Sequence, residues 1–431
     1  MESIWGNGVT LPSFNELDKD TECDVLIIGG GIAGILCAYM LEKEGIDYIL
    51  LESNRICGKT TKFTTAKITS LHGFIYSKLI KEFGYNFARQ YYEANEEAIK
   101  EYKKLAAKID CDFETTSNII FTFDNEKKIA KEYHQIKSLA INAEFLKETE
   151  LPFDVAGGIK FENQATFNPL KFISAISKDL NIYENSRVKK VKENFAYTDK
   201  ARIKANKIVF ATHFPFVDLH GFYALKMYQE KSYAIAFKGQ EKIKNTYIDD
   251  QSILSVRSYN DYIILGGQKH RTGKKSAGWE ALKSLKEKYF QGNNVEYMWA
   301  AEDTITLDGV PYIGKYSVFS NDRFVITGFN KWGMTGSMVG AKLICDLIMG
   351  RKNRFEKIFS PQRSIIRPQL AVNIFEAATN LITFSKPRCT HLGCKLVWNR
   401  KEHTWDCPCH GSKFCENGEI LNGPANKKLD L

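Results

Sequence analysis

Two short clusters late in the 431-residue sequence carry the residue types best suited to chemistry. Cys389-x-His391 is followed, after fifteen residues, by Cys407-x-x-His410. Each cluster offers one thiolate and one imidazole from a short loop. Zinc accepts a set of two cysteines and two histidines in some spacings. A mixed-ligand [2Fe–2S] centre, with two cysteines on one iron and two histidines on the other, wants this arrangement. Cys394 and Cys409 fall within the same clusters, and Cys415 just beyond. Cys23, Cys37, Cys57, Cys111 and Cys345 stand singly in apolar or mixed contexts, as buried thiols do.

A second site is spelled out near the front. Asp24–Ile28 reads as a buried strand, and Gly29-Gly30-Gly31-Ile32-Ala33-Gly34 places glycines in G-x-G-x-x-G spacing. A helical stretch from Ile35 to Glu44 follows, Gly45 ends it, and a strand from Tyr48 to Leu51 runs into Glu52. Gly29 permits the tight turn, Gly31 lets backbone approach a pyrophosphate, and Gly34 lets helix and strand pack closely. The helix N-terminus offers free N–H groups and partial positive charge to phosphates. Glu52 suits ribose hydroxyls and disfavours a 2′-phosphate. Strand, turn, helix, strand and acid in register predict a dinucleotide site.

The hydroxyl-rich loop Gly58–Lys67 follows the second strand and offers Thr64 and Thr65 to a phosphate or a flavin ring. Lys207–His213 reads as a strand ending in Ala211-Thr212, as under an adenine half. Phe324–Ser337 reads as strand, glycine turn and helix start, with the helix running from Met338 to Met349. With VLIIGGGIAGILCAYML, TTAK, Thr306-x-Asp308-x-x-Pro311 and TGFNKWGMTGS, the first 350 residues resemble the FAD-dependent oxidoreductases of the D-amino-acid-oxidase class. The resemblance implies FAD held by Gly29, Gly31, Ala33, Gly34 and Glu52, by Thr64, Thr65 and Ala211, and by Gly328, Gly333, Met334 and Thr335. It implies an α/β, Rossmann-like FAD-binding domain of the glutathione-reductase type, assembled from 21–80, 155–215 and 300–350. An α+β substrate domain is then inserted as 81–154 and 216–299.

In that middle region Tyr85–Lys108 and Glu126–Glu148 read as helices, and Asn168-Pro169 opens another. Ser232–Phe237, Ser252–Arg257 and Tyr262–Gly266 read as strands. Arg257, His270 and Arg271 are candidate anion binders, although an alternating strand more often puts an arginine on a solvated face. Lys67 is a candidate flavin- or oxygen-activating cation. The pattern names no catalytic base, and hydride transfer to a flavin does not require one.

Around the two cysteine–histidine clusters, Thr390, Leu392, Gly393, Pro408, Gly411 and Ser412 resemble the Rieske protein of respiratory chains, and Gly423-Pro424-Ala425 is similar to that family's proline loop. The resemblance implies a [2Fe–2S] cluster on Cys389, His391, Cys407 and His410, a disulfide between Cys394 and Cys409, and a hydrogen bond from Ser412 to the cluster. Phe414 stands where the family often has a tyrosine donor, which implies a lower potential. The segment 351–384 reads as linker and helix, and 385–431 as a small all-β subdomain, apparently truncated to the cluster-binding half.

The chain's length fits two or three domains. Its net charge of +9 forms no basic block with interleaved aromatics, which argues against a nucleic-acid partner. Met1–Asp20 lacks an apolar signal core, and no run suits a transmembrane segment. The expected setting is cytoplasmic, with peripheral membrane association as a variant of it. The primary reading is a dehydrogenase that oxidises the C–N bond of a small amine or amino acid at FAD and passes electrons through the cluster to an acceptor protein or quinone. The alternative is a flavin/Rieske electron-transfer module serving a protein partner, without amine oxidation. A Rieske oxygenase is disfavoured, because the remaining histidines form no 2-His-1-carboxylate grouping.

Overall fold

The β-branched run Thr21–Ile28 becomes the central strand of an eight-stranded sheet. Tyr48–Leu51 and Arg202–Phe210 flank it in parallel, and Arg323–Thr327 extends the sheet beyond Arg202–Phe210. Every residue of Tyr48–Leu51 is buried, as expected of a parallel strand covered on both faces. The helices Ile32–Lys43 and Gly333–Ile348 pack against each other and bury their apolar residues in the main core. The structure is a computed structural model that describes residues 2–217, 220–290, 294–383 and 386–430.

A nine-stranded sheet forms the second body. Met227–Lys238 lies between Tyr297–Thr306 and Tyr262–Arg271, followed by Leu254–Tyr259, Thr246–Asp249, Glu114–Thr122 and Gly157–Thr166. The short strand Lys67–Ile68 closes that order, so the loop after the dinucleotide turn is stitched into this sheet. Gly157–Thr166 and most of Tyr297–Thr306 fall within the segments expected to belong to the FAD-binding body, yet they pair here. Strand pairing runs across the segment boundaries that the resemblance implied.

Two helices differ in extent from their sequence reading. The helix expected over Glu126–Glu148 stops at Ser138, and Glu144–Leu146 returns as a strand against Gly157–Thr166. Ala140, at φ 54°, turns the chain between them. The helix expected from Met338 begins at Gly333. The helix expected after Asn168 is present over Pro169–Ile176, its N-terminus capped by the Asn168 side chain, which accepts from Leu170 N at 3.0 Å.

Residues 397–422 form a four-stranded antiparallel sheet of strands three residues long. Its core is small and contains Cys389, Cys394, Cys407, Cys409, Leu396, Phe414, Ala425 and Leu429. Such a core stabilises little alone, and the unit is instead docked on the body built from the two large sheets. Lys231, almost fully buried, forms ion pairs with Glu402 and Asp406, the latter at 3.7 Å. Lys413 reaches Glu402 at 2.5 Å and Glu302 at 3.9 Å.

The connection into this unit is pinned by Arg363. Its Nε and Nη2 bond both oxygens of Asp308 at 2.8 and 3.1 Å, and its remaining N–H groups bond the carbonyls of Val310, Pro311, Ile358 and Ser360. Burial alone would raise the Asp308 carboxyl, and Arg363 more than offsets that and holds it below its usual range. Removing one partner of a buried pair leaves the other charge uncompensated, so Arg363→Ala should cost about 3–5 kcal/mol. Urea unfolding followed by tryptophan fluorescence measures this, and a loss under about 1 kcal/mol contradicts the assignment.

Candidate functional site

A cleft of about 530 Å³ runs between the two large sheets, within the usual range for cofactor and ligand sites. At one end it meets Glu52, which ends strand Tyr48–Leu51. The Glu52 carboxylate accepts from Gly30 N at 2.8 Å and from Asn54 N at 2.9 Å. Next come Gly29, Gly31 and Ala33 at the start of helix Ile32–Lys43. The glycines have different jobs. A Cβ on Gly34 would collide with the Gly29 carbonyl oxygen, so Gly34 serves packing. A Cβ on Gly31 would meet only Thr61 Oγ1, at 3.5 Å, so Gly31 borders open space. Thr61 Oγ1 accepts from Ile32 N at 3.1 Å, and the first turn of this helix holds no acid, which leaves its other free N–H groups and its positive end for an anion. The cleft, an acid-free helix N-terminus and the Glu52 carboxylate fit a flavin dinucleotide.

Thr64 and Thr65 line the middle of the cleft, as do Gly333 and Met334 at the start of helix Gly333–Ile348. Ala211 also lines it. Gly328 and Thr335 do not. Gly328, at φ +72°, makes the turn after strand Arg323–Thr327. Thr335 is buried beside His72 Nε2, at 3.2 Å.

The three catalytic candidates separate. Lys67 does line the cleft, bonded to Ser255 Oγ at 2.7 Å and to the Tyr247 carbonyl at 3.2 Å. Burial, reinforced by Arg257, lowers its amine to about 7. Arg257 is not on a solvated face and does not reach the cleft. It is 2% exposed, and it donates to the carbonyls of Thr65 and Ala66 at 2.9 and 2.8 Å. The expected alternation fails because the strand Leu254–Tyr259 is covered on both faces. His270 lies outside the cleft lining, with Nε2 against Tyr233 Oη at 3.1 Å. Arg271 turns to Asn373 at 3.1 Å and stacks over Tyr228.

Sequence reading missed the residues at the other end. Asn330 and Lys331 are successive non-glycine residues at φ 52° and 76°, a strained pair of the sort concentrated at functional sites. They carry Lys331 to Glu230, at 3.0 Å, and Trp332 onto His72, with ring centroids 4.7 Å apart. Asp303 lines the same end, and burial raises its carboxyl to about 6 against the opposing pull of Lys331. The only sequence signal was an asparagine in a glycine-bounded turn.

The opposite wall of this cleft comes from the small sheet: Asn422, Gly423 and Asn426 line it. Behind that wall the ligand-type side chains converge. Cys389 and Cys407 lie within hydrogen-bond reach of one another, with Ser412 beside Cys389. Ser412 Oγ accepts from Ala425 N at 3.2 Å, tying the proline loop to the ligand loop. The His391 and His410 rings stand 5.1 Å apart and nearly perpendicular. Burial holds both neutral, lowering His391 to about 3 and His410 to about 4. His391 Nδ1 is buried without a hydrogen-bond partner, as a nitrogen awaiting a metal would be. Two thiols on one side and two neutral imidazoles on the other fit a mixed-ligand [2Fe–2S] centre. Cys394 and Cys409 are also within hydrogen-bond reach of each other, and both are thiols here.

The histidines point at the flavoprotein. Phe214, which lines the cleft, sits 5.3 Å from the His410 ring and 6.4 Å from that of His391, centroid to centroid. His410 Nε2 bonds the Ala224 carbonyl at 3.1 Å.

Comparison with known proteins agrees with this geometry. Residues 24–347 match the family model FAD dependent oxidoreductase, and residues 363–431 match the Rieske [2Fe-2S] domain. The chain belongs to the FAD dependent oxidoreductase family and carries a Rieske domain after it. It is 35% identical, over 492 aligned residues covering 99% of this chain and 97% of that protein, to the putative Rieske 2Fe-2S iron-sulfur protein YhfW of Bacillus subtilis. A 43-residue stretch is 51% identical to the cytochrome b6-f complex iron-sulfur subunit of a Synechococcus strain, covering 10% of this chain and 25% of that one. Among solved structures, glycine oxidase from Geobacillus kaustophilus superposes with a TM-score of 0.67 at 16% identity, over 80% of this chain and 99% of that one. L-proline dehydrogenase from P. horikoshii does so at 0.64 and 17%, over 80% and 98%. The protein is thus an FAD-dependent oxidoreductase with a [2Fe–2S] Rieske domain. Among the described residues no helix is long and apolar enough to cross a membrane.

The open space at Gly31 makes a specific prediction. Gly31→Asp should fold normally, with an unchanged circular dichroism spectrum, yet purify without flavin absorbance, because its carboxylate occupies the pyrophosphate's place. Full flavin content in that variant contradicts the site.

Proposed function

We propose that the protein oxidises the C–N bond of a small amino acid or amine and sends the electrons through the Rieske centre to an acceptor in the cytoplasm. The observation that carries this is the shared wall: the residues that line one side of the cleft belong to the loop that closes over Cys389, His391, Cys407 and His410. When bound, FAD supplies hydride acceptance and the cluster, held by those four side chains, supplies one-electron transfer. The chain's own residues do the rest. Glu52 and the Gly29–Gly34 turn hold the dinucleotide, and Thr64 and Thr65 contact it along the cleft. Asp303 and the Glu230–Lys331 pair face a substrate's ammonium and carboxylate, with Asp303 taking the ammonium proton. Trp332, stacked on the neutral His72, excludes water from that end. Phe214 fills the space between the cleft and the two imidazoles.

Fold neighbours that are a glycine oxidase and an L-proline dehydrogenase support an amino-acid substrate, although an L-α-glycerophosphate oxidase shares the fold. The alternative, an electron-transfer module without amine oxidation, is separated by stopped-flow reduction with a panel of amino acids. The expected outcome is flavin bleaching followed by the electron-paramagnetic signal of the reduced cluster. Asp303 must be ionised to accept a proton, so kcat/KM should rise with pH through about 6. Asp303→Asn should remove that inflection and lower kcat/KM about 10²-fold or more. Bleaching without any cluster reduction would break the proposed coupling, and an unaltered pH profile would clear Asp303 of the role.

We also assign Cys394 and Cys409 to a disulfide bracing the two ligand loops, on the proximity of their thiols. Peptide mass mapping of air-purified, cluster-loaded protein should find them joined. Two alkylatable thiols there would refute it.

A further inference from the structure

The helix Pro368–Ile382 is built inside out. In a soluble protein an amphipathic helix turns its apolar stripe to the core. Here the polar stripe faces the body. Asn373 is 3% exposed and bonds the Leu225 carbonyl, Arg271 and Gln369 at 3.1, 3.1 and 3.2 Å. Glu376, just under one helical turn on, is neutralised by Lys274 at 2.8 Å. The Asn380 carbonyl accepts from Lys395 N at 2.9 Å. Positions 369, 373, 376 and 380 form one face by helical spacing.

The opposite face is apolar and open. Phe375 is 67% exposed and Ile382 71%, flanked by Val372 and Ile374, and Ile366 just before the helix is 85% exposed. Leu392, next to the ligand His391, continues this face: a Cβ on the adjacent Gly393 would lie 4.0 Å from Leu381 Cδ2. Of the lysines and arginines in 351–431, Arg351, Arg354, Arg363, Arg367 and Lys413 are paired with acids, and exposed lysines remain beside the patch. Lys386, Lys427 and Lys428 are exposed, and Thr390 of the ligand loop bonds the Lys427 carbonyl at 2.5 Å. The exposed face of the helix itself carries no acid.

We propose that this face binds an anionic lipid surface, with the helix lying in the interfacial plane and Leu392 bringing the cluster loop to the membrane. An apolar face rimmed by lysines is the pattern of in-plane anchors. The outward face is too apolar for water and its surroundings too basic for an ordinary acidless self-contact: two copies meeting here would oppose like charges.

Full-length protein loaded with FAD and cluster should co-sediment with equimolar phosphatidylglycerol–phosphatidylcholine vesicles at low salt, and much less with phosphatidylcholine alone. Phe375→Glu/Ile382→Glu should weaken binding to the anionic vesicles about tenfold or more while flavin and cluster absorbance stay unchanged. Should that variant misfold, Lys427→Gln/Lys428→Gln gives the second test: weaker binding to anionic vesicles only. No sedimentation of the native protein with anionic vesicles overturns the proposal. So does a dimer, seen by light scattering, that Phe375→Glu dissolves, because the face then belongs to a second copy.

Discussion

The arrangement of the two redox domains depends on a buried charge network. Lys231 from the nine-stranded sheet meets Glu402 and Asp406 from the small sheet, and Lys413 answers with Glu402 and Glu302. Charges so desolvated are tolerated only when geometry is fixed, since separating any pair strands the others in a poor dielectric. Because the contributors come from both units, the network sets orientation as well as adhesion. It turns the imidazole side of the ligand loops toward the flavoprotein, where Phe214 and the Ala224 carbonyl receive it. A Rieske unit held this way presents one fixed face to the flavoprotein.

Two buried arginines hold backbone rather than ligands. Arg257 gathers the carbonyls of Thr65 and Ala66, and Arg363 gathers four carbonyls around Asp308. The planar fork of guanidinium donors suits this work better than an ammonium would. The first fixes the loop that follows the dinucleotide turn. The second fixes the exit toward the cluster domain. Both therefore shape the cleft from positions that never touch its contents.

The dinucleotide turn and the cluster ligands were legible because their chemistry is local. Glycine turn, strand and acid lie within thirty residues, as Gly29 and Glu52 do, and the cluster ligands sit in two loops. Arg257, Asp303 and the Asn330–Lys331 turn were not legible. Their roles are set by strands pairing across long separations, such as Met227–Lys238 with Tyr297–Thr306. Alternation predicted a solvated Arg257, and burial of both faces of its strand overrode it. Which sheet Gly157–Thr166 joins was hidden for the same reason, because its partner Glu114–Thr122 lies far from it in sequence. The outward apolar face of Pro368–Ile382 was hidden too, because a helical pattern gives the stripe but not the side the fold turns it to.

The shared wall of the cleft also has a temporal meaning. Gly31 and Asn422 border one cavity, yet nearly four hundred residues of synthesis separate them. A ribosome delivers the glycine turn early and the wall late. Until residues 422–426 arrive, the flavin's future chamber is open along that side. Docking of the small sheet therefore closes the last side of the chamber, and any cofactor bound before that step enters through a wider opening than the finished cleft offers.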